Sequence, residues 1–103
     1  MHVISRLPFQ QAAAKYPNDG LAIIRLYKVL KQMAFTTPDE MRKVFPSLDR
    51  MRYREKWWVI DIGGGNLRVM FFADFERSKI FVKHIVTHAE YDKLTTYYRE
   101  NKE

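Results

Sequence analysis

The chain has 103 residues, with 18 Lys and Arg against 12 Asp and Glu, for a net charge of +6. This length predicts a single domain over residues 1–103, large enough for one core without crosslinks, and the absence of cysteine excludes a disulfide framework, a cysteine nucleophile and thiolate metal ligation. The charge bias favours nucleic acid, an acidic protein or an anionic membrane as partner, against the plainer alternative of a basic surface that serves solubility.

Residues 1–5 are short and partly β-branched and predict a first strand. They do not lead from a charged segment into a long apolar run, so no signal peptide is expected. No apolar stretch approaches the roughly 18 residues needed to span a bilayer. A cytoplasmic protein without a membrane partner is therefore expected. Pro8 suits the first position of a short Ala-rich helix that continues over residues 9–16. The run Pro17, Asn18, Asp19, Gly20 breaks it. A second helix is predicted over residues 21–35, because Ile23, Leu26, Tyr27, Leu30, Met33 and Ala34 recur at helical spacing. Thr37, Pro38 and Glu40 then form a capping-box signature for a short helix that must end before Pro46.

Residues 50–54 alternate Arg, Met, Arg, Tyr, Arg. As a strand, this would set Arg50, Arg52 and Arg54 on one face with Met51 and Tyr53 on the other. Between residues 42 and 56, six cations stand against two anions, Asp49 and Glu55; Lys43 and Lys56 flank the stripe. Charges of this kind protect an exposed sheet edge, but three arginines on one face also suit a track for phosphates.

Three apolar runs follow, over residues 57–62, 67–74 and 79–87, and predict consecutive antiparallel strands. Gly63, Gly64, Gly65 and Asn66 join the first two as a hairpin loop. No helix follows these glycines and no P-loop lysine accompanies them, so a nucleotide-binding loop is disfavoured. If Asp74 pairs with Lys79, Arg68 lies opposite Ile85 and Lys83 opposite Met70, on one face; a slip of one residue would bring His84 there instead. Thr87 and Glu90 form a second capping box, with His88 the first residue of a helix running to about Arg99 and a charged tail over residues 100–103. Tyr91, Leu94, Tyr97 and Tyr98 recur along that helix at helical spacing.

Arg68 lies inside an apolar strand, where a cation needs a carboxylate partner, such as Asp61 or Asp74, or an anionic ligand. His88 stands at a helix start, where the free N–H groups also suit a phosphate. Tyr91 shares its helix face, three residues on. A proton carrier, a phosphate clamp and a basic stripe together suit metal-free RNA cleavage, in which a base takes the 2′-OH proton and cations stabilise the phosphorane. Taken singly, a structural histidine and a core tyrosine are the commoner uses of such residues. His2 and His84 do not complete a metal site, and no cofactor is expected.

VFPSLD at residues 44–49, WWVIDIGGGNLRVM at 57–70 and VTHAEYDKL at 86–94 resemble the HigB-type toxins of the RelE/ParE superfamily of type II toxin–antitoxin systems. The resemblance extends over nearly the whole chain. It implies an α+β, RelE-like fold: an antiparallel sheet packed on an N-terminal helical hairpin, with a helix at the C-terminus. It also implies an endoribonuclease, an mRNA interferase that cuts mRNA in the decoding site of the translating ribosome. Its partners would be mRNA, the ribosome and a neutralising HigA-type antitoxin, through which alone it would meet operator DNA. The family roles would fall on Arg68 for phosphate stabilisation and on His88 and Tyr91 for proton transfer or positioning. Lys83 and the arginines at 50, 52 and 54 would bind RNA or ribosome. Two alternatives remain: a ParE-like poison of a DNA topoisomerase, since a shared fold does not fix function, and a non-enzymatic RNA-binding module.

Overall fold

The computed structural model describes residues 1–101. Residues 102 and 103 of the expected charged tail lie outside the described residues. The fold is α+β. Its sheet has the strand order β1-β5-β4-β3-β2, with β1 at His2–Val3, β2 at Asp49–Arg50, β3 at Trp57–Ile62, β4 at Leu67–Asp74 and β5 at Lys79–Thr87. All neighbours pair antiparallel except β1, which runs parallel to β5. The helices are α1 at Leu7–Lys15, α2 at Gly20–Gln32, α3 at Pro38–Val44 and α4 at His88–Glu100.

The N-terminal hairpin forms as its sequence predicts, with shifts of one residue at both ends of α1 and at the start of α2, and a larger one at the end of α2. Helix α1 starts one residue before Pro8, at Leu7. Helix α2 stops at Gln32, short of the expected Phe35, because Met33 is extended, with φ −93° and ψ 146°. Leaving the helix lets Phe35 turn into the core, where it is 2 % exposed and meets Phe45 edge-on, while Met33 and Ala34 stay exposed. The loop at 63–65 joins β3 to β4 as expected, with positive φ at each glycine. A side chain at Gly63 would also collide with Asp19, whose Oδ1 lies 2.5 Å from the place of an added Cβ.

Two expectations need correction. Residues 50–54 do not form a strand. Strand β2 ends at Arg50, and the chain turns back at once, with the Met51 N–H donating to the Trp57 carbonyl at 2.8 Å. Met51 is buried, and Lys56 at φ 60° completes the reversal. Burying Met51 beneath the next strand leaves no room for two more residues of extended edge, so the three arginines do not share a strand face.

The β4–β5 register also differs. Asp74 pairs with Lys79 as expected, but Arg68 faces Val86 and Met70 faces His84. The shift is a bulge: Phe71 pairs with Val82 and Met70 with His84, leaving Lys83 as the extra residue. Val82 and Ile85 both remain buried in the main core, so the bulge turns Lys83 and His84 alike to the other side of the sheet. The two registers that the strand pattern left open are thus merged.

The sheet has two unlike faces, as the alternation of strand residues dictates. Trp58, Ile60, Leu67, Val69, Phe71, Ala73, Ile80, Val82 and Ile85 pack with Phe9, Ala12, Ile23, Leu26 and Leu30 of the helical hairpin. On the opposite face a smaller cluster of Met51, Val59 and Met70 is closed by Tyr98 of α4, with Tyr91 and Leu94 packed against it. No helix among the described residues is long and apolar enough to cross a membrane.

Candidate active site

The polar side chains that interrupt the apolar strands gather on the face covered by α4. Asp61 and Arg68 are direct neighbours across β3 and β4. Arg68 Nε lies 3.1 Å from Asp61 Oδ1, with the two side chains 30 % and 35 % exposed. The contact is an ion pair rather than an aligned hydrogen bond, since the buried Nε has no hydrogen-bond partner. Of the two carboxylates that the sequence offers Arg68, Asp61 is the partner. Asp74 instead accepts hydrogen bonds from the Arg77 backbone N–H at 3.2 Å and from its guanidinium at 3.0 Å. Those bonds, the backbone one foremost, hold the Asp74 carboxyl below its usual range.

Above Arg68 lies Tyr91. The guanidinium carbon is 4.6 Å from the centroid of the ring, a close cation–aromatic stack. Asp61 below and Tyr91 above fix the plane of the guanidinium. No described residue accepts a hydrogen bond from its two terminal nitrogens.

Tyr91 is placed by the start of α4. Thr87 accepts from the Glu90 N–H, and the Glu90 carboxylate reaches back to the Thr87 N–H, so the capping box is complete. Glu90 also accepts from the Tyr16 hydroxyl at 2.8 Å and lies 3.5 Å from Lys15 Nζ, tying α1 to α4. The Tyr16 bond, helped by Thr87 and Lys15, lowers the Glu90 pKa to about 2. Farther along, Tyr98 is buried, with its hydroxyl 2.9 Å from His84 Nε2 and its ring edge-on to Trp57 at 5.2 Å.

Tyr91 also forms one wall of a groove of about 350 Å³. The Asp49, Arg50, Arg52 and Tyr53 stretch supplies one side, and Thr95, Thr96 and Arg99 of α4 supply the other. Arg50 and Arg52 of the expected RNA-binding set therefore meet Tyr91 in one concavity. The other members lie apart from it. Arg54 is drawn beneath the end of α4, donating to the carbonyls of Tyr53 at 2.7 Å, Tyr98 at 3.1 Å and Asn101, with its guanidinium 4.9 Å from the Tyr98 ring centroid. Lys83 lies against the rings of Phe81 and Trp57, at 4.9 and 5.5 Å. Lys56 lines a separate recess with Trp58 and Asp74, and Lys43 is exposed in the last turn of α3. His88 is exposed at the first position of α4, and its ring makes no hydrogen bond or ion pair with any described residue.

Residue pattern alone passes over Asp49, Thr95, Thr96 and Arg99. Each reads as an ordinary polar surface residue until the turn at 51–56 folds Asp49 and Arg50 towards the outer side of α4. A second concavity, between α1 and α2, has about 510 Å³ lined by Phe9, Ala13, Ile24 and Tyr27, with Arg6 and Lys28 at its rim. Among the described residues no three His, Asp or Glu stand together as a metal-ligand set.

Residues 20–94 match the family model described as HigB_toxin, the RelE-like toxic component of a toxin–antitoxin system. Over 103 residues, the full length of both proteins, the chain is 59 % identical to the mRNA interferase HigB of Escherichia coli O6:H1. It is 35 % identical over 99 residues to the mRNA interferase toxin HigB of Escherichia coli strain K12, covering 96 % of this chain and 95 % of that one. A family match over most of the chain and an end-to-end relative at this identity leave one conclusion: the chain belongs to the HigB family of RelE-like toxins, within the RelE/ParE superfamily of type II toxin–antitoxin systems.

Proposed function

We propose that the chain is an mRNA interferase, an endoribonuclease that cuts mRNA on the translating ribosome and is neutralised by a HigA-type antitoxin. The observation that carries this reading is the Arg68 guanidinium, held between Asp61 and Tyr91 with its terminal nitrogens unspent, against a tyrosine that also lines an arginine-bearing groove. The phosphodiester already carries one negative charge and the phosphorane carries a second, so a cation with free donors stabilises the phosphorane more than the ground state.

In this reading the ribose 2′-oxygen attacks the adjacent phosphorus. The O2′–P bond forms and the P–O5′ bond breaks, leaving a 2′,3′-cyclic phosphate and a 5′-hydroxyl. Arg68 hydrogen-bonds the non-bridging oxygens, more strongly as their charge grows. His88 and Tyr91, one helical turn apart, are the groups offered for the two proton movements: one from the 2′-hydroxyl, one to the departing 5′-oxygen. Arg50 and Arg52 hold neighbouring phosphates. The reading requires no metal ion for any step. The names of the relatives support the substrate, and the basic surface supports nucleic acid over a neutral ligand.

The test is induction of the wild type and of Arg68→Ala, with mapping of cellular mRNA ends. Wild-type expression should arrest growth and generate new mRNA ends that Arg68→Ala reduces by about 100-fold or more, the scale of losing one transition-state donor. Thermal melting should leave the variant folded. Intact mRNA with DNA-damage signalling after induction would transfer the chain to the topoisomerase poisons instead.

A further inference from the structure

We propose that the groove beside Tyr91 is a nucleobase pocket, with Asp49 as the residue that reads the base. The inference rests on the ribonuclease reading and adds to it a selection of substrate by base identity. Its starting point is an oddity of charge. Arg50, Arg52 and Arg99 all line the groove with Asp49, yet none makes an ion pair with it. Each guanidinium lies by another group instead: Arg50 over the Trp58 ring at 5.7 Å, Arg52 over the Tyr53 ring at 5.9 Å, and Arg99 beside Glu100 at 3.5 Å. Asp49 Oδ1 accepts the Arg50 backbone N–H at 2.8 Å, which orients the carboxylate, and no described side chain donates to either oxygen.

A carboxylate in a groove that bound phosphate alone would oppose its ligand. An ionised carboxylate accepts hydrogen bonds and donates none, so its complement is an N–H edge. The threonines add to the same polarity. The Thr95 hydroxyl donates to the carbonyls of Tyr91 and Asp92, and Thr96 donates to that of Asp92. With their protons turned to the helix backbone, both hydroxyls present lone pairs outward. The groove therefore combines acceptors at Asp49, Thr95 and Thr96 with half-buried aromatic rings at Tyr53 and Tyr91 and cations for the backbone.

That combination fits a nucleotide whose base carries an exocyclic amine on its pairing edge: guanine, adenine or cytosine. Uracil presents carbonyl oxygens on both sides of its single ring N–H, and these face the carboxylate unfavourably. Tyr53 and Tyr91 each carry a guanidinium over one ring face, and stacking on the other would accept any base, so discrimination falls on Asp49. Arg68 fixes the scissile phosphate next to Tyr91, so the base read here belongs to a fixed position relative to the cut.

The test compares, within each sample, the bases flanking mapped mRNA cleavage sites after induction of wild type, Asp49→Asn and Thr96→Val. Wild type should disfavour uracil at one fixed position. Asp49→Asn, whose amide donates as well as accepts, should admit uracil there about tenfold more often relative to the other bases, the discrimination expected of one base contact. Thr96→Val should shift the same ratio in the same direction by less. A base distribution unchanged in Asp49→Asn overturns the inference while leaving the ribonuclease reading intact. If Asp49→Asn cuts nothing, Thr96→Val supplies the ratio, and no shift there overturns it equally. A wild type that cuts no mRNA overturns both.

Discussion

The two faces of the sheet solve different problems with the same strands. Towards α1 and α2, the residues of β3, β4 and β5 are apolar and almost wholly buried. Towards α4, Met51, Val59 and Met70 hold the helix through its buried Tyr98, and Asp61, Arg68 and His84 stand around them. Polar side chains survive there because α4 covers the face incompletely: Arg68 retains 30 % exposure and Asp61 35 %. Water can then offset part of the desolvation that a closed core would impose. The molecule draws its stability from one face and places its candidate chemistry on the other.

Substitutions on neighbouring positions of β4 should separate these duties. Phe71 and Arg68 point to opposite faces of one strand. Phe71→Ala removes a fully buried ring and should cost about 3–5 kcal/mol, a large share of the roughly 5–15 kcal/mol typical of a domain. Urea denaturation should show the midpoint fall steeply or the protein fail to fold. Arg68→Ala breaks a partly exposed ion pair and should cost no more than about 1 kcal/mol, while abolishing mRNA cleavage. Equal destabilisation by the two would remove the division between faces.

The stabilising face was the readable one. Apolar spacing at Ile23, Leu26 and Leu30 and the runs of β3 to β5 declare their partners, because burial tolerates few alternatives. Capping chemistry likewise fixed His88 at the start of α4 to the residue. The other face depends on local backbone choices that residue types barely signal. The bulge at Lys83 changes which residue meets Met70, and nothing in the composition of β5 marks it. The arginine alternation over residues 50–54 predicts a strand because period two is the strand signal. What overrides it is the burial of Met51, a contact with the far face that only the folded chain supplies. Arg68 was legible because a cation in an apolar strand needs an explanation. Asp49 and Arg99 were not, because an exposed charge needs none.

Arg54 gives an intermediate effect and tests how α4 is held. Its guanidinium meets the Tyr98 and Asn101 carbonyls at the end of the helix, where unpaired acceptors and the negative end of the helix dipole favour a cation, and the carbonyl of its own neighbour Tyr53. Arg54→Ala should cost about 1–2 kcal/mol, the range for hydrogen bonds from a charged donor that keeps some contact with water. Hydrogen exchange should accelerate in the last turn of α4 and stay unchanged in β4. Lower RNA affinity with no change in exchange would instead return Arg54 to the RNA-binding set in which its sequence position suggests it belongs.

The smallest effect concerns the other end of α4. Glu90 joins Thr87, Tyr16 and Lys15, and its pKa falls from 4.5 to about 2 on folding. A carboxyl with a depressed folded-state pKa stabilises the fold above its unfolded value, and that contribution disappears as pH falls through the folded one. Glu90→Gln should therefore lower stability near neutral pH, by about 0.5–1 kcal/mol, the modest value expected of a cap that water reaches. The gap between wild type and variant should hold down to about pH 4.5 and close as pH drops towards 2. Because this carboxylate fastens α4 to α1, and hence the chemical face to the stable one, the variant should also loosen Tyr91 over Arg68. The Tyr91 ring resonances in an NMR spectrum should differ from wild type at neutral pH and match it near pH 2. A gap that stayed constant across that range would mean that Glu90 acts by shape alone and that its charge does not couple the two faces.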